Sequence, residues 1–243
     1  MKLKAYAKVN FWLKVWKPEK NEQYHKINSL ITRVDDLYDV IKLKPNKKSK
    51  DIIICKNKSL VENNFIYSVL DILRSFKTIN KYYTIKLKKN IPIGSGLGGG
   101  TSDAITIANY FLDKFKNNNS KLKFEICNAV GFDSYFFMSK FKTAIASGYG
   151  EIIKPIDLDI SISKKSLIIN SINCSTKEVY KNYKETKPNE LNDLTDTAIK
   201  LYPNLKNFIS LGIMSGSGST FIKKSFYNRN SIIMKTFSVL FNI

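Results

Sequence analysis

Between Pro92 and Asp103 the chain reads Pro-Ile-Gly-Ser-Gly-Leu-Gly-Gly-Gly-Thr-Ser-Asp, with glycine at five of the seven positions 94–100. Glycine at that density weakens any regular element, so it belongs where the backbone itself must approach another group closely. A strand-like alternation precedes the run, with Tyr83, Ile85 and Leu87 set against Thr84, Lys86 and Lys88. A helical spacing of Ile105, Ala108, Leu112 and Phe115 follows it. A glycine turn that opens a helix offers unpaired amides and the positive end of the helix dipole, which is the chemistry of a phosphate cradle. Thr101, Ser102 and Asp103 are good helix-cap residues and add hydroxyl donors.

The known phosphate loops fit only in part. Gly94 and Gly99 have the Walker A separation, but Gly100 stands where that loop needs a lysine. Gly94, Gly96 and Gly99 satisfy G-x-G-x-x-G, yet Asp113, the acidic residue at about the expected twenty-residue distance, falls inside the helix instead of ending a second strand. The loop is therefore expected to bind phosphate without a lysine of its own, and the cation must come from elsewhere. Clustered phosphates without a loop lysine call for a divalent cation such as Mg2+. Residues 3–15 supply a further cation. Leu3, Ala5, Ala7, Val9, Phe11, Leu13 and Val15 alternate with Lys4, Tyr6, Lys8, Asn10, Trp12 and Lys14, so one strand sets Lys8 and Asn10 side by side on its open face.

Three segments in this order carry a resemblance. Ala7-Lys8-Val9-Asn10, the run 92–102 and Met214-Ser215-Gly216-Ser217-Gly218-Ser219-Thr220 resemble the three motifs of the GHMP (galacto-, homoserine, mevalonate and phosphomevalonate) kinase superfamily. Tyr24-His25 and Gly131-Phe132-Asp133 are similar to the branch that phosphorylates a cytidine-diphosphate-linked methylerythritol. The resemblance implies an α+β fold of two domains. A ribosomal protein S5 domain 2-like N-terminal domain would span 1–152 and a shortened ferredoxin-like C-terminal domain 153–243. It also implies transfer of the γ-phosphoryl of ATP to an acceptor hydroxyl, with Asp133 as general base and Lys8 offsetting charge. Pro92, Gly94, Ser95, Gly96, Leu97, Gly98, Gly99, Gly100, Thr101 and Ser102 would hold ATP, with Thr101 and Ser102 contacting Mg2+. Asn64, with Asn63 adjacent, resembles the position that reads adenine. Asn10 would hold the acceptor, and Tyr24, His25 and Tyr180 would meet its cytosine by stacking and hydrogen bonding. Two departures stand out. Phe132 takes the place of a small residue before the aspartate and Ser134-Tyr135 that of Val-Pro after it, and the chain ends soon after the third motif.

Composition bounds the remaining classes. Forty basic against twenty acidic residues give +20, which ordinarily suggests nucleic acid. Only Arg33, Arg74 and Arg229 are arginines, however, and the thirty-seven lysines are scattered. Nucleic-acid readers rely on the arginine fork, so a solvated surface suited to an anionic small molecule is expected, with no specific nucleic acid. An RNA-binding protein and a homoserine or mevalonate kinase are the alternatives. No apolar window is long enough to span a membrane, and three distant cysteines form no disulfide or zinc pattern, so a cytoplasmic enzyme is expected. Further strands are read over 27–43 and 51–55 around a loop at 45–50, with helices over 61–76 and 124–130. A change of pattern at Gly150 to Asp159 is followed by a short strand at 166–169 and helices at 176–185, 190–209 and 231–241. The apolar stripe of the first helix is read as Phe65, Val69, Ile72 and Phe76.

Overall fold

The structure of the protein, a computed structural model, describes residues 1–184 and 191–241. Strands β1 (Lys2–Val15), β2 (Ile27–Asn46) and β3 (Ile52–Cys55) come first, then helices α1 (Ser59–Glu62) and α2 (Phe65–Ser75) and strand β4 (Tyr82–Lys88). Helices α3 (Gly99–Lys114), α4 (Ser120–Val130) and α5 (Asp133–Ser139) follow, then β5 (Thr143–Gly148), β6 (Ile152–Pro155) and β7 (Leu167–Ile168). The remainder is α6 (Thr176–Lys181), α7 (Thr195–Leu201), β8 (Gly212–Met214), β9 (Phe221–Lys223), α8 (Lys224–Arg229) and α9 (Ser231–Phe241). Single 3-10 turns occupy Lys164–Ser166 and Pro203–Phe208. The architecture is α+β.

The chain forms two compact units that interleave along the sequence. The first gathers Met1–Ala7, Leu37–Ile91 and Gly98–Lys140; the second gathers Lys8–Asp36, Pro92–Leu97 and the chain from Phe141 onward. In the first unit the later half of β2 pairs antiparallel with β4, Val40 opposite Lys88 and Asn46 opposite Tyr82. Strand β4 in turn pairs parallel with β3. Alternation on β4 works as expected: Tyr83, Ile85 and Leu87 are buried against the helices, where they meet Phe111 of α3 and Ile126 of α4. The helix read over 61–76 is broken at Asn64, whose carboxamide caps α2 by accepting from the Ile66 amide at 3.1 Å. The buried stripe is Ile66, Val69, Leu70 and Leu73, and Phe65 faces solvent. Val69 belongs to both stripes, and Ile72 and Phe76 pack at the edge of the core, so the buried face is centred on Ile66, Leu70 and Leu73.

In the second unit the first half of β2 pairs with β5, Ile27 opposite Gly148, and β5 pairs with β6. Neither β5 nor β6 was marked by a strong alternation. A separate antiparallel sheet has the order β7-β9-β8. The C-terminal segment is helical over Ser231–Phe241, as expected. The helices read over 176–185 and 190–209 shorten to α6 and α7 with a 3-10 turn; positions 185 and 190 lie outside the described residues.

The largest departure concerns β1. Period two predicts one open face, and Lys2 and Lys4 are indeed exposed, but every residue from Ala7 to Val15 is buried. In the second unit Trp12 packs on Phe237 and Phe241, Phe11 stacks on Phe226, and Lys14 pairs with Asp193 at 2.7 Å. Segments distant in sequence cover the face that alternation leaves polar.

Asn192, next to Asp193, fastens the third glycine motif. Its amide nitrogen donates to the carbonyls of Met214 at 2.7 Å and Gly216 at 2.8 Å, while its oxygen accepts from the Leu194 amide at 3.0 Å. Asn192→Leu strands both buried carbonyls. A loss of about 2–4 kcal/mol in unfolding free energy is expected from urea denaturation, the sum of two unpaired acceptors.

Candidate active site

Two glycine runs meet within the second unit. A Cβ on Gly96 would lie 2.6 Å from the Gly218 carbonyl oxygen and 2.8 Å from that of Ser215, so only glycine allows these backbones to approach. The φ of Gly96 is +72°, which independently favours glycine. Around this contact the Thr220 amide donates to the Ser95 carbonyl at 3.2 Å, the Cys174 amide to Gly94 at 2.9 Å, and the Lys8 amide to Leu97 at 3.0 Å. Segment 92–97 is therefore hydrogen-bonded from three directions. Asn173 lies beside Gly94 and would collide with any side chain there.

Lys8 and Asn10 lie against the third run. The Lys8 ammonium donates to Asn10 Oδ1 at 2.7 Å, and Asn10 Nδ2 donates to Ser29 Oγ at 2.8 Å. Ser29 passes its own proton to the Trp12 carbonyl at 2.6 Å, and the Asn10 amide donates to Ser215 Oγ at 2.9 Å. A Cβ on Gly216 would sit 3.1 Å from Asn10 Oδ1 and 3.5 Å from Lys8 Nζ. Lys8 and Asn10 are each only 4% exposed. The strand places them together as period two predicts, but inside the protein and not on an open face. An ammonium in such surroundings acts on nearby charge more strongly than one in water.

In the first unit α3 begins at Gly99, with Gly98 as its cap at φ +68° and no side-chain cap. The expected cap residues do otherwise. Ser102 Oγ donates to the Tyr6 carbonyl at 2.7 Å, and Asp103 pairs with Lys89 at 2.6 Å. The helix starts early because a left-handed glycine can turn the chain directly into it. The first-turn amides thus carry no side-chain cap, and amides of that kind can meet an anion. Asp133 is the first residue of α5, where the helix dipole favours a carboxylate. Gly131, at φ +112°, provides the turn, and Ser134 anchors it by donating to the Cys127 carbonyl at 3.2 Å. Phe132 is accommodated half-buried ahead of the helix. Burial raises the Cys127 thiol and pushes that of Cys174 up to about 11, so neither is poised as a nucleophile.

Asn64 has both ends of its carboxamide in use, since Nδ2 donates to the Leu60 carbonyl at 2.8 Å while the oxygen caps α2. Its neighbour Asn63 is exposed. The aromatic residues of the second unit form two groups of ring contacts, one around His25 and one around Tyr24. His25 lies 5.8 Å from Tyr180 and 5.5 Å from Tyr183, centroid to centroid. His25 Nδ1 faces the Trp16 carbonyl at 2.9 Å, so the proton belongs on Nδ1 and Nε2 of a neutral ring is an acceptor. Tyr24, half exposed, meets Tyr149 edge-on at 6.4 Å, and Tyr149 is fixed by Glu22 through a 2.8 Å hydrogen bond. Tyr149, Tyr183, Ser29 and Asn192 were not singled out from the sequence. Each is an isolated residue whose partner is distant in the chain, and only the Gly148–Gly150 turn around Tyr149 offered a local signal.

Residues 64–140 match the family of GHMP kinases N terminal domains. The chain is 31% identical over 266 residues to a 4-diphosphocytidyl-2-C-methyl-D-erythritol kinase of Ureaplasma parvum serovar 3, covering 96% of this chain and 99% of that one. It is 33% identical to the enzyme of that name from Sulfurimonas denitrificans, covering 92% and 97%. Among solved structures, a 4-(cytidine 5'-diphospho)-2C-methyl-D-erythritol kinase superposes with a TM-score of 0.73 at 23% identity, over 97% of this chain and 96% of that one, a likeness of fold. Three motifs in order, their meeting in the fold and relatives matched end to end have one reading: the chain belongs to the 4-diphosphocytidyl-2-C-methyl-D-erythritol kinase family of GHMP kinases.

Proposed function

We propose that this chain transfers the γ-phosphoryl of ATP to the 2-hydroxyl of 4-diphosphocytidyl-2-C-methyl-D-erythritol, a step of non-mevalonate isoprenoid precursor synthesis. The observation that carries the reading is the Lys8–Asn10 pair, joined at 2.7 Å and held against the Gly216 backbone. Phosphoryl transfer asks little covalent chemistry of a protein; it asks for position and for fixed charge. Lys8 supplies the charge. Asn10, oriented by Ser29 and Lys8, has an acceptor lone pair to spare for the substrate hydroxyl. Asp133 takes that hydroxyl's proton. The segment 92–102 holds the triphosphate on backbone amides, and adenine reading is assigned to Asn64, with the exposed Asn63 as the adjacent register. Thr101 and Ser102 offer hard oxygen ligands. Mg2+ commonly binds through substrate phosphates and water with few protein ligands, and that is the mode assigned to it here. When bound, Mg2+ offsets phosphate charge.

Cytosine is assigned to Tyr24, His25 and Tyr180. The Nε2 acceptor of His25 suits an exocyclic amine, and the rings offer stacking faces. We assign catalysis to 1–152 and C-terminal support to 153–243 in chain order. No helix among the described residues is long and apolar enough to cross a membrane. We assign the chain to the cytoplasm, a reducing setting that suits its three free cysteines.

An ATP-consumption assay with the cytidylyl acceptor, mevalonate and homoserine, with and without Mg2+, tests the reading. Turnover is expected with the first acceptor alone and only with Mg2+. Preference for another acceptor moves the chain to a different GHMP activity, and tight, steeply salt-dependent RNA binding without turnover points to the nucleic-acid alternative. Asp133→Asn is expected to lower kcat by roughly a hundredfold or more while ATP affinity holds. Normal turnover in that variant removes Asp133 from the mechanism. Tyr180→Ala should raise KM for the cytidylyl acceptor by about tenfold, the worth of one stacked base, and leave KM for ATP unchanged.

A further inference from the structure

The first unit contains a buried ionic cluster that no motif explains. The chain leaves this unit after Ile91 and returns at Gly98, so the glycine run is an excursion with both ends in one body. Asp39, fully buried on β2, accepts the amides of Asn90 at 2.5 Å and Ile91 at 2.9 Å through one oxygen. Its other oxygen pairs with the Lys89 ammonium. That ammonium also donates to Asp103 Oδ2 at 2.6 Å, on the second turn of α3. Lys89 thus joins the outgoing strand end to the helix that receives the chain. The two ends touch as well: a Cβ on Gly99 would lie 2.9 Å from Ile91 Cγ2 and 3.3 Å from Lys89 Nζ.

The charges do not balance, with two carboxylates to one ammonium, and Asp103 Oδ1 is buried without a hydrogen-bond partner. Burial raises the Asp103 carboxyl against the pull of Lys89. Burial alone would lower Lys89, but the two carboxylates outweigh it and hold the ammonium raised, so it stays charged. Buried ion clusters add little net stability because desolvation cancels most of the attraction. They do fix distances closely, since any displacement leaves a charge unpaired in a poor solvent.

We propose that Lys89 is a positioning residue for nucleotide binding: through Asp39 and Asp103 it fixes the separation between the two ends of the glycine run and so aims the first-turn amides of α3. The inference rests on the reading of that run as the triphosphate site. Its test is titration of a fluorescent ATP analogue into the full-length chain, with KM measured for ATP and for the acceptor, in wild type, K89M, K89R and D103N. K89M is expected to weaken analogue affinity by roughly tenfold, the worth of a charged hydrogen bond, and to raise KM for ATP in parallel. KM for the acceptor should hold. K89R should recover most of the loss. D103N, which keeps the Lys89–Asp39 pair, should give a smaller loss with little change in Tm, and it stands in if K89M does not fold. Wild-type affinity in folded K89M, or in D103N where K89M is unfolded, overturns the positioning role and leaves the substrate assignment intact. A parallel rise of both KM values with a fall in Tm also overturns it, since that is the mark of a structural residue. Weakened analogue binding in a chain that fails to phosphorylate the acceptor supports the role of Lys89 while the substrate assignment falls.

Discussion

Backbone meets backbone where Gly96 faces the carbonyls of Ser215 and Gly218, and the second unit is organised around that approach. A side chain on Gly96 would have to occupy space 2.6 Å from a carbonyl oxygen, so the two runs could not close on each other. With no side chain in the way, the main-chain bonds from Thr220 to Ser95 and from Lys8 to Leu97 form together. Glycine here costs conformational entropy in folding, and the gain is a surface made of peptide groups. Such a surface suits a phosphate better than flexible side chains do, because its dipoles are fixed before the ligand arrives.

The burial of Lys8 follows from the same packing. An ammonium that is 4% exposed must be compensated by polar atoms, and Asn10 provides one at 2.7 Å. Asn10 is held by Ser29, and Ser29 by the strand carbonyl of Trp12. This relay ends on β1 itself, so the position of the charge is set by a strand buried on both faces. Trp12, Phe11 and Lys14 fix that strand on either side of the relay. A charge on a rigid element needs no reorganisation when a phosphate arrives, which is the physical content of preorganisation.

The residues proposed to recognise the acceptor are of a different kind. The fold family serves several acceptors, so the fold alone does not select one. In the second unit Tyr24 meets Tyr149, and His25 meets Tyr180 and Tyr183, rings drawn from three separate stretches of chain. Polar contacts to their edges, Glu22 on Tyr149 and the Trp16 carbonyl on His25, orient the rings without using their faces. Flat rings beside a directed hydrogen-bond acceptor are what the proposed cytosine site rests on.

Local chemistry was legible in the sequence. Period two on β1 and β4 and the glycine run between a strand and a helix follow from spacing that one stretch of chain carries by itself, while the run at 214–220 was legible through its resemblance to a family motif. The grouping of Lys8 with Asn10 was legible for the same reason, since residues two apart on a strand share a face. What the sequence left open depended on what covers each element. Alternation marked one face of β1 as open, and only the C-terminal segments decided that it is buried. Spacing places Phe65 on the apolar stripe of α2, and only the neighbouring helices decide that Ile66, Leu70 and Leu73 are the residues they cover. Asn192, Tyr149 and the Lys89 cluster were invisible in one dimension. The contacts that define them reach between 14 and 127 residues along the chain, the Leu194 amide on Asn192 apart, and no periodicity relates residues that meet only when the chain is folded. Sequence therefore determined which groups could perform the chemistry, and tertiary packing decided which are buried, which are oriented and by what, because burial and orientation are properties of neighbours that the local chain does not contain.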